Sequence, residues 1–449
     1  MGFFDWVFGW LGLGLRSPAK TAGSAPPGSP GDSLGQPGET ETQFRTRNRN
    51  YAKVALTPRT FRATRAGGEH PEERRATGDW PYKFARRAPD PARWLDLSRD
   101  ADRVRLAQFG LPVLETPEDL ARWLQVELGE LAWLSGHFHF GGRPDSVARS
   151  HYHYSWIEKR SGGRRLIEAP KARLKHLQTQ ILRCILDRVP PHRAAHGFVA
   201  GRSILSNAAP HVGQRVLVQF DLSDFYPSVS YSRVVAIFRS LGFSREVGCW
   251  LARLTTSAVP HELLTGPSST RFGSRFDSDH ELYLRRHLPQ GAPTSPALAN
   301  LSAFVLDLRL AGLARAFQAH YTRYADDLTF SGGTRFQRSL AVFIPLARQI
   351  IRGERFSIHP LKFRVRRRGQ RQTVTGVVVN DHLNVSRADF DRLKAILHNC
   401  ARHGPASQNR SQLPDFAGHL RGRIAHVQMI NPRRAAKLVA LFGQIDWTR

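Results

Sequence analysis

The sequence predicts an α+β fold built on a mostly antiparallel sheet, and three observations carry that prediction. Thr322-Arg323-Tyr324-Ala325-Asp326-Asp327-Leu328-Thr329-Phe330 places β-favouring residues on both sides of a short polar centre, as a hairpin requires. Val216, Leu217, Val218 and Phe220 form an apolar strand that ends at Asp221, just before a turn and a helix. Ala297–Leu306 reads as a helix, and from Ser386 onward the pattern is helical, through Phe390, Leu393, Ala395 and Ile396 and then 420–427.

Taken in order, residues 1–16 are a short apolar segment. Phe3, Phe4, Val7, Phe8 and Leu11 share one helical face, which Trp6, Trp10 and Leu13 widen. The segment is too short to span a bilayer, contains Asp5 and has no basic lead, so neither membrane insertion nor a secretory signal is expected. A docking helix and a loosely packed terminus are both open readings. Residues 17–43 are rich in Pro, Gly and Ser and read as a flexible linker. Residues 44–149 are a basic extension and helical lead-in, with Trp80, Tyr82, Phe84 and Trp94 spread through its first part. That part is either an RNA-contacting extension or connecting structure. A helix starts at Thr116-Pro117-Glu118-Asp119, with an N-cap, a proline at the first position and early acids, and is expected to run through Leu131. Residues 150–380 hold a hairpin, an amphipathic helix on Leu174, Leu177, Ile181 and Ile185, the 216–221 strand, an insert-like stretch from His261 to Arg286, and the 322–330 hairpin. Residues 381–449 form a basic helical tail.

Asp326 and Asp327 are adjacent, and adjacent side chains on a strand point apart, so only a turn brings both to one site. Two like charges at one site need a cation between them, and a hard divalent ion such as Mg2+ prefers oxygen ligands. Asp221 lies 105 residues before Asp326 and reaches the pair if the two strands are neighbours in one sheet. Three carboxylates there suit two metals about 3.5–4 Å apart, the arrangement that in-line phosphoryl transfer uses. Leu288-Pro289-Gln290-Gly291-Ala292-Pro293-Thr294-Ser295-Pro296 is a small-residue turn against which a base pair can lie closely.

The 449 residues carry 66 Lys and Arg against 37 Asp and Glu, a formal charge of +29. An excess of one sign on this scale points to a polyanionic partner, and nucleic acid fits it best. A hydrophobic content of 41% excludes a merely disordered basic tail. Cys184, Cys249 and Cys400 are too scattered for a zinc site or a disulfide framework, so a reducing cytoplasm is expected.

In this order the segments resemble the palm motifs of bacterial reverse transcriptases: Asp221-Leu222-Ser223-Asp224-Phe225-Tyr226, then Pro289-Gln290-Gly291, then Tyr324-Ala325-Asp326-Asp327. Tyr154–Pro170 is similar to the family's fingers hairpin, and Leu174–Gln178 and Ala195-His196-Gly197-Phe198 follow as in bacterial members. Ala292–Pro296 and Val374-Thr375-Gly376 resemble the retron branch, and the likeness runs from about Leu111 to the C-terminus. The resemblance implies a right-hand polymerase with fingers and palm in 150–380 and a thumb in 381–449. It implies an RNA-directed DNA polymerase using two Mg2+ ions, with Mn2+ as a substitute, that copies a cognate structured RNA. Priming from an RNA 2′-hydroxyl would give a branched RNA–DNA hybrid. An effector protein partner and a role in antiphage defence are further implications. The rivals are a group II intron-like or diversity-generating reverse transcriptase, against which no maturase or endonuclease segment follows the tail, and a catalytically silent RNA-binding scaffold.

By the same resemblance Asp221, Asp326 and Asp327 are the catalytic metal ligands, joined by the backbone carbonyl of Leu222. Tyr226 would exclude a nucleotide 2′-hydroxyl, with Asp224 and Phe225 beside it in the nucleotide site. Lys159 and Arg165 would clamp the triphosphate, with Arg164 competing for the role and a plain basic hairpin as the alternative. Gln290 would orient nucleotide or template, and Lys362 would act near the pyrophosphate, although His359 departs from the asparagine frequent in the family. Val374, Thr375, Gly376, Arg421 and Arg423 are the expected RNA contacts. His137 with His139, and His151 with His153, could share strand faces, but lack further ligands nearby, so packing or stacking is the expected role.

Overall fold

The computed structural model describes residues 86–87, 94–95, 100–136, 143–158, 164–265 and 279–448. The apolar segment 1–16, the linker, most of the stretch to residue 99, Lys159 and the His137–His139 pair lie outside the described residues.

The lead-in comprises α1 (Arg103–Gln108), α2 (Pro117–Trp123) and α3 (Leu128–Leu134). Thr116 is the expected N-cap and forms a capping box with Asp119, with Pro117 opening the helix. The helix does not continue to Leu131 as the sequence suggests. Gln125 adopts a left-handed φ of 57°, and the chain turns before α3 begins. Strands β1 (Tyr152–Glu158) and β2 (Arg164–Pro170) form an antiparallel hairpin, followed by α4 (Ala172–Cys184), which buries Leu174, Leu177 and Ile181.

Strand β3 (Val216–Ser223) is the centre of a five-stranded sheet and is followed by α5 (Tyr231–Ser240) and α6 (Arg245–Thr255). The helix expected over 297–306 is two helices, α7 (Ser295–Ser302) and α8 (Phe304–Ala316), bent by 49° at Ala303. The bend lets Leu298 and Ala299 on one helix and Leu306, Leu310 and Ala314 on the other face the same core. Strands β4 (Ala319–Tyr324) and β5 (Asp327–Gly332) make the predicted hairpin, and β5 pairs antiparallel with β3. After α9 (Leu340–Gly353), β6 (Ser357–Ile358) and β7 (Arg364–Arg367) share the other edge of β3. Every pairing in this sheet is antiparallel, as the α+β reading requires.

Alternation along β3 divides its side chains between two cores. Val216, Val218, Phe220 and Leu222 enter the main core, where Phe220 meets Phe330 edge-to-face at 5.9 Å. Leu217 enters a second core with Val374, Val377 and Val379, and with the apolar faces of α10 (Arg387–His403), α11 (Phe416–Ile430) and α12 (Pro432–Phe442). Thr375 and Gly376, both at positive φ, make the tight turn between Thr373–Val374 and Val377–Val378. Helices packed around a wholly antiparallel central sheet match the α+β fold class expected from the sequence. Among the described residues no single helix is long and apolar enough to cross a membrane.

Candidate active site

The register of the sheet sets Asp221 directly opposite Asp327 on the neighbouring strand. Tyr324 pairs with Asp327 across the hairpin, leaving Ala325 and Asp326 as the turn. Ala325 carries a φ of 55°, which turns the chain sharply enough to aim both acids at Asp221. The Leu222 N–H donates to the Asp326 carbonyl at 3.0 Å and ties the turn back to β3. The sequence-predicted trio therefore meets at one end of the sheet.

Burial, then the charge of Asp221, pushes the Asp326 carboxyl well above the ordinary range of an aspartate. Asp327 moves the same way, through burial in the cleft and then the charges of Asp326 and Asp221. Asp327 keeps exposed surface, so the neighbouring carboxylates are the firmer cause there. The Lys362 ammonium donates to both carboxylate oxygens of Asp221 at 2.9 Å. It arrives there because the short helix Pro360–Lys362 bridges β6 and β7 along the edge of β3, where the His359 N–H donates to the Asp221 carbonyl. Among the described residues no three His, Cys, Asp or Glu side chains already converge as a metal cage. The donor set still fits a hard cation: the three carboxylates lie near enough to act on one another, and two of them resist ionising without added positive charge.

The expected nucleotide residues divide. Tyr226 is half-buried against the main core and close enough to feel Asp326, Arg165 and Arg323. Arg165 also acts on Asp326 and so faces the acids from the hairpin. Gln290 is held by its backbone, which accepts from the Glu168 N–H at 2.9 Å, while Gly291 lies so close to Glu168 that a Cβ would meet its carbonyl at 3.0 Å. Phe225 is 5% exposed and its ring packs between Tyr226 and Phe356, so it supports the turn that carries Tyr226 from beneath. Asp224 takes a positive φ of 46°, and its carbonyl accepts from Ser228.

Among the expected RNA contacts, Val374 has its side chain fully buried in the second core. The Thr375 hydroxyl faces the Ile204 carbonyl at 3.4 Å, which straps the hairpin to the helix at 204–208. Gly376 is exposed and open on its Cβ side. Arg421 is exposed with its guanidinium 5.9 Å from the Phe442 ring, and Arg423 is half-buried. His151 bears out the packing reading: its Nε2 meets the Trp133 carbonyl at 2.8 Å and its ring stands edge-on to Trp133.

Residues 157–379 match the family model described as reverse transcriptase (RNA-dependent DNA polymerase). The retron Mx65 reverse transcriptase of Myxococcus xanthus is 44% identical over 75% of this chain and 73% of its own length. The chain belongs to the retron reverse transcriptases. The retron Mx162 reverse transcriptase of the same organism is 37% identical over 76% of this chain and 69% of its own length. The retron Ec86 reverse transcriptase of Escherichia coli is 26% identical over 76% of this chain and 93% of its own length. The chain is thus an RNA-directed DNA polymerase, with an RNA template as its partner.

Two buried polar groupings in this reverse transcriptase escape sequence reading. Arg323 pairs with Asp307 beside the acid turn, although Arg323 stands in plain view immediately before the Tyr-Ala-Asp-Asp motif. Glu168 and His287 meet at 2.8 Å, both essentially unexposed, and tie β2 to the segment entering the Gln290 loop. Burial lowers the pKa of His287 most, but Glu168 and the Arg285 carbonyl outweigh it, so His287 titrates above its ordinary value. A raised folded pKa contributes stability that is complete below the unfolded value and is lost as pH rises through the folded one. Urea unfolding followed from about pH 6 to about pH 9 should show this loss, and Glu168→Gln should flatten it at a cost of about 1–3 kcal/mol at the acid end.

Proposed function

We propose that this retron reverse transcriptase copies a cognate structured RNA into DNA at Asp221, Asp326 and Asp327. The observation that carries the reading is the register pairing of Asp221 with Asp327, with Asp326 in the adjoining turn. These three carboxylates and the Leu222 carbonyl would hold two Mg2+ ions, with Mn2+ as a substitute. When bound, the ions would lower the pKa of the primer's terminal hydroxyl and stabilise the leaving pyrophosphate.

The chain's own residues do the rest. Arg165 grips the dNTP phosphates from the hairpin, joined by Lys159. Tyr226 puts its ring under the sugar and rejects a 2′-hydroxyl by bulk. Gln290, fixed through its backbone to Glu168, orients the templated pair. Lys362 neutralises Asp221 until the site is loaded, then turns its ammonium toward the departing pyrophosphate as proton donor. Thr375, Gly376, Arg421 and Arg423 lie against the RNA.

The finer reading is that synthesis is primed from a 2′-hydroxyl within the RNA, giving a branched RNA–DNA molecule. Its RNA–DNA hybrid stays with the enzyme in a reducing cytoplasm and serves, with an effector protein, in antiphage defence. The free thiols of Cys184, Cys249 and Cys400 suit that compartment. The test is to extract the nucleic acid that co-purifies with the protein and treat it with RNase and with DNase. A short DNA whose size shifts on RNase treatment is the expected result. Linear RNA alone would remove the branched-product reading.

A further inference from the structure

We infer that Arg323 is a positioning residue for the acid turn, holding the peptide that leads into Asp326 and linking it to the helix behind the Gln290 loop. The inference rests on the reading that Asp326 and Asp327 are catalytic.

Arg323 is fully buried, and its guanidinium forks onto Asp307 with Nε to Oδ1 at 2.8 Å and Nη2 to Oδ2 at 2.6 Å. Asp307, equally buried on α8, also accepts from the Tyr321 hydroxyl at 2.7 Å. A buried ion pair of this kind adds little net stability over apolar residues of the same shape, so stability alone does not account for it. The remaining nitrogen supplies the reason. Arg323 Nη1 donates to the Ala325 carbonyl at 3.0 Å and to Asn300 Oδ1 at 2.9 Å.

Ala325 is a non-glycine residue in the left-handed region, and such a residue persists only where its surroundings hold it. Two things hold it. Arg323 fixes the carbonyl of the Ala325–Asp326 peptide from one side. Gly197 lies against the preceding Tyr324–Ala325 peptide, so near that a Cβ there would sit 2.7 Å from the Ala325 nitrogen. Asn300 closes the ring by donating from Nδ2 to the Gly197 carbonyl at 2.9 Å. The backbone of Arg323 is itself clamped, its N–H donating to the Ala194 carbonyl and its carbonyl accepting from the His196 N–H, both at 2.7 Å.

Asn300 belongs to α7, the helix that starts where the Gln290 loop ends. Arg323 therefore makes one mechanical unit of the nucleotide loop and the acid turn. Rotation of the Ala325–Asp326 peptide would swing the Asp326 carboxylate away from Asp221. A lysine offers a point charge to Asp307 but no fork that also reaches Asn300 and Ala325.

The experiment is steady-state dNTP incorporation on a primed RNA template, with thermal unfolding run on each variant. Arg323→Lys is expected to lower kcat by about ten- to hundredfold while the dNTP KM and the template Kd stay within about twofold. Asn300→Ala leaves the ion pair in place and is expected to lower kcat by about tenfold in the same manner. Tyr321→Phe removes a buried bond to Asp307 without touching the turn, and kcat should stay within about twofold. If Arg323→Lys does not fold, Asn300→Ala decides alone. Folded Arg323→Lys and Asn300→Ala proteins with near-parental kcat overturn the inference, as does a kcat loss in Tyr321→Phe equal to that in Asn300→Ala. Retained activity on replacing Asp326 and Asp327 would instead sink the catalytic reading beneath it.

Discussion

Asp326→Asn combined with Asp327→Asn abolishes dNTP incorporation on an RNA template, by about a thousandfold or more, while RNA binding is retained. The size follows from chemistry: on the proposed mechanism, losing the charge that would fix divalent cations removes several kcal/mol of transition-state stabilisation, and each factor of ten is about 1.4 kcal/mol. Both asparagines are near-isosteric, so the hairpin register between β4 and β5 should survive. A readout independent of activity accompanies the prediction. Mg2+ should raise the thermal midpoint of the parent, since a ligand bound only by the folded state stabilises it, and should leave the double variant unmoved. Unchanged incorporation would end the acid-trio mechanism, and an equal Mg2+ shift in both proteins would place the cation elsewhere.

Gly197→Ala is expected to cost about a hundredfold in rate, though position 197 bears no functional group. The added methyl would contact backbone, the Ala325 nitrogen at 2.7 Å and the Tyr324 carbonyl carbon at 3.2 Å, and backbone cannot swing aside as a side-chain tip can. Overpacking of this kind costs about 1–3 kcal/mol in stability. The clash falls on the turn that carries Asp326, and a displacement near 1 Å at reacting groups costs about a hundredfold in rate. Activity should therefore fall far more than the loss of folded protein explains, as incorporation normalised to folded fraction by circular dichroism would reveal. A rate that only follows the folded fraction would mean that the turn tolerates the push.

Much of this was legible because chemistry and periodicity coincide at the acids. Asp221 ends an apolar strand, and Asp326 and Asp327 sit in a hairpin whose flanks favour β structure, so the sequence itself implies that the two strands are neighbours. The failures have a shared origin in tertiary packing. The break at Gln125 and the bend at Ala303 leave no mark in apolar spacing, since both halves of each broken helix keep the same period. The motif alone does not show that Phe225 and Val374 also serve as apolar filling beneath their turns. Arg323 and Asp307 were invisible for the opposite reason. In a chain of charge +29 one more arginine reads as surface, and only the fold reveals that this one is wholly enclosed.

The central strand also dictates when this protein becomes an enzyme. Val216–Asp221 takes its partners from 327–332 and 364–367, and its Leu217 is covered by helices that begin at Arg387. Nearly all of these contacts are distant in sequence, and such pairings form late because the loops between them must close first. A ribosome-bound chain that has emitted Asp221 holds one lone carboxylate on an unpaired strand. The acids cannot come together before residues 327–332 are made, and the strand is fully covered only once the helices from Arg387 follow. The nascent chain is thus a basic polypeptide that can attract RNA well before it is able to copy any.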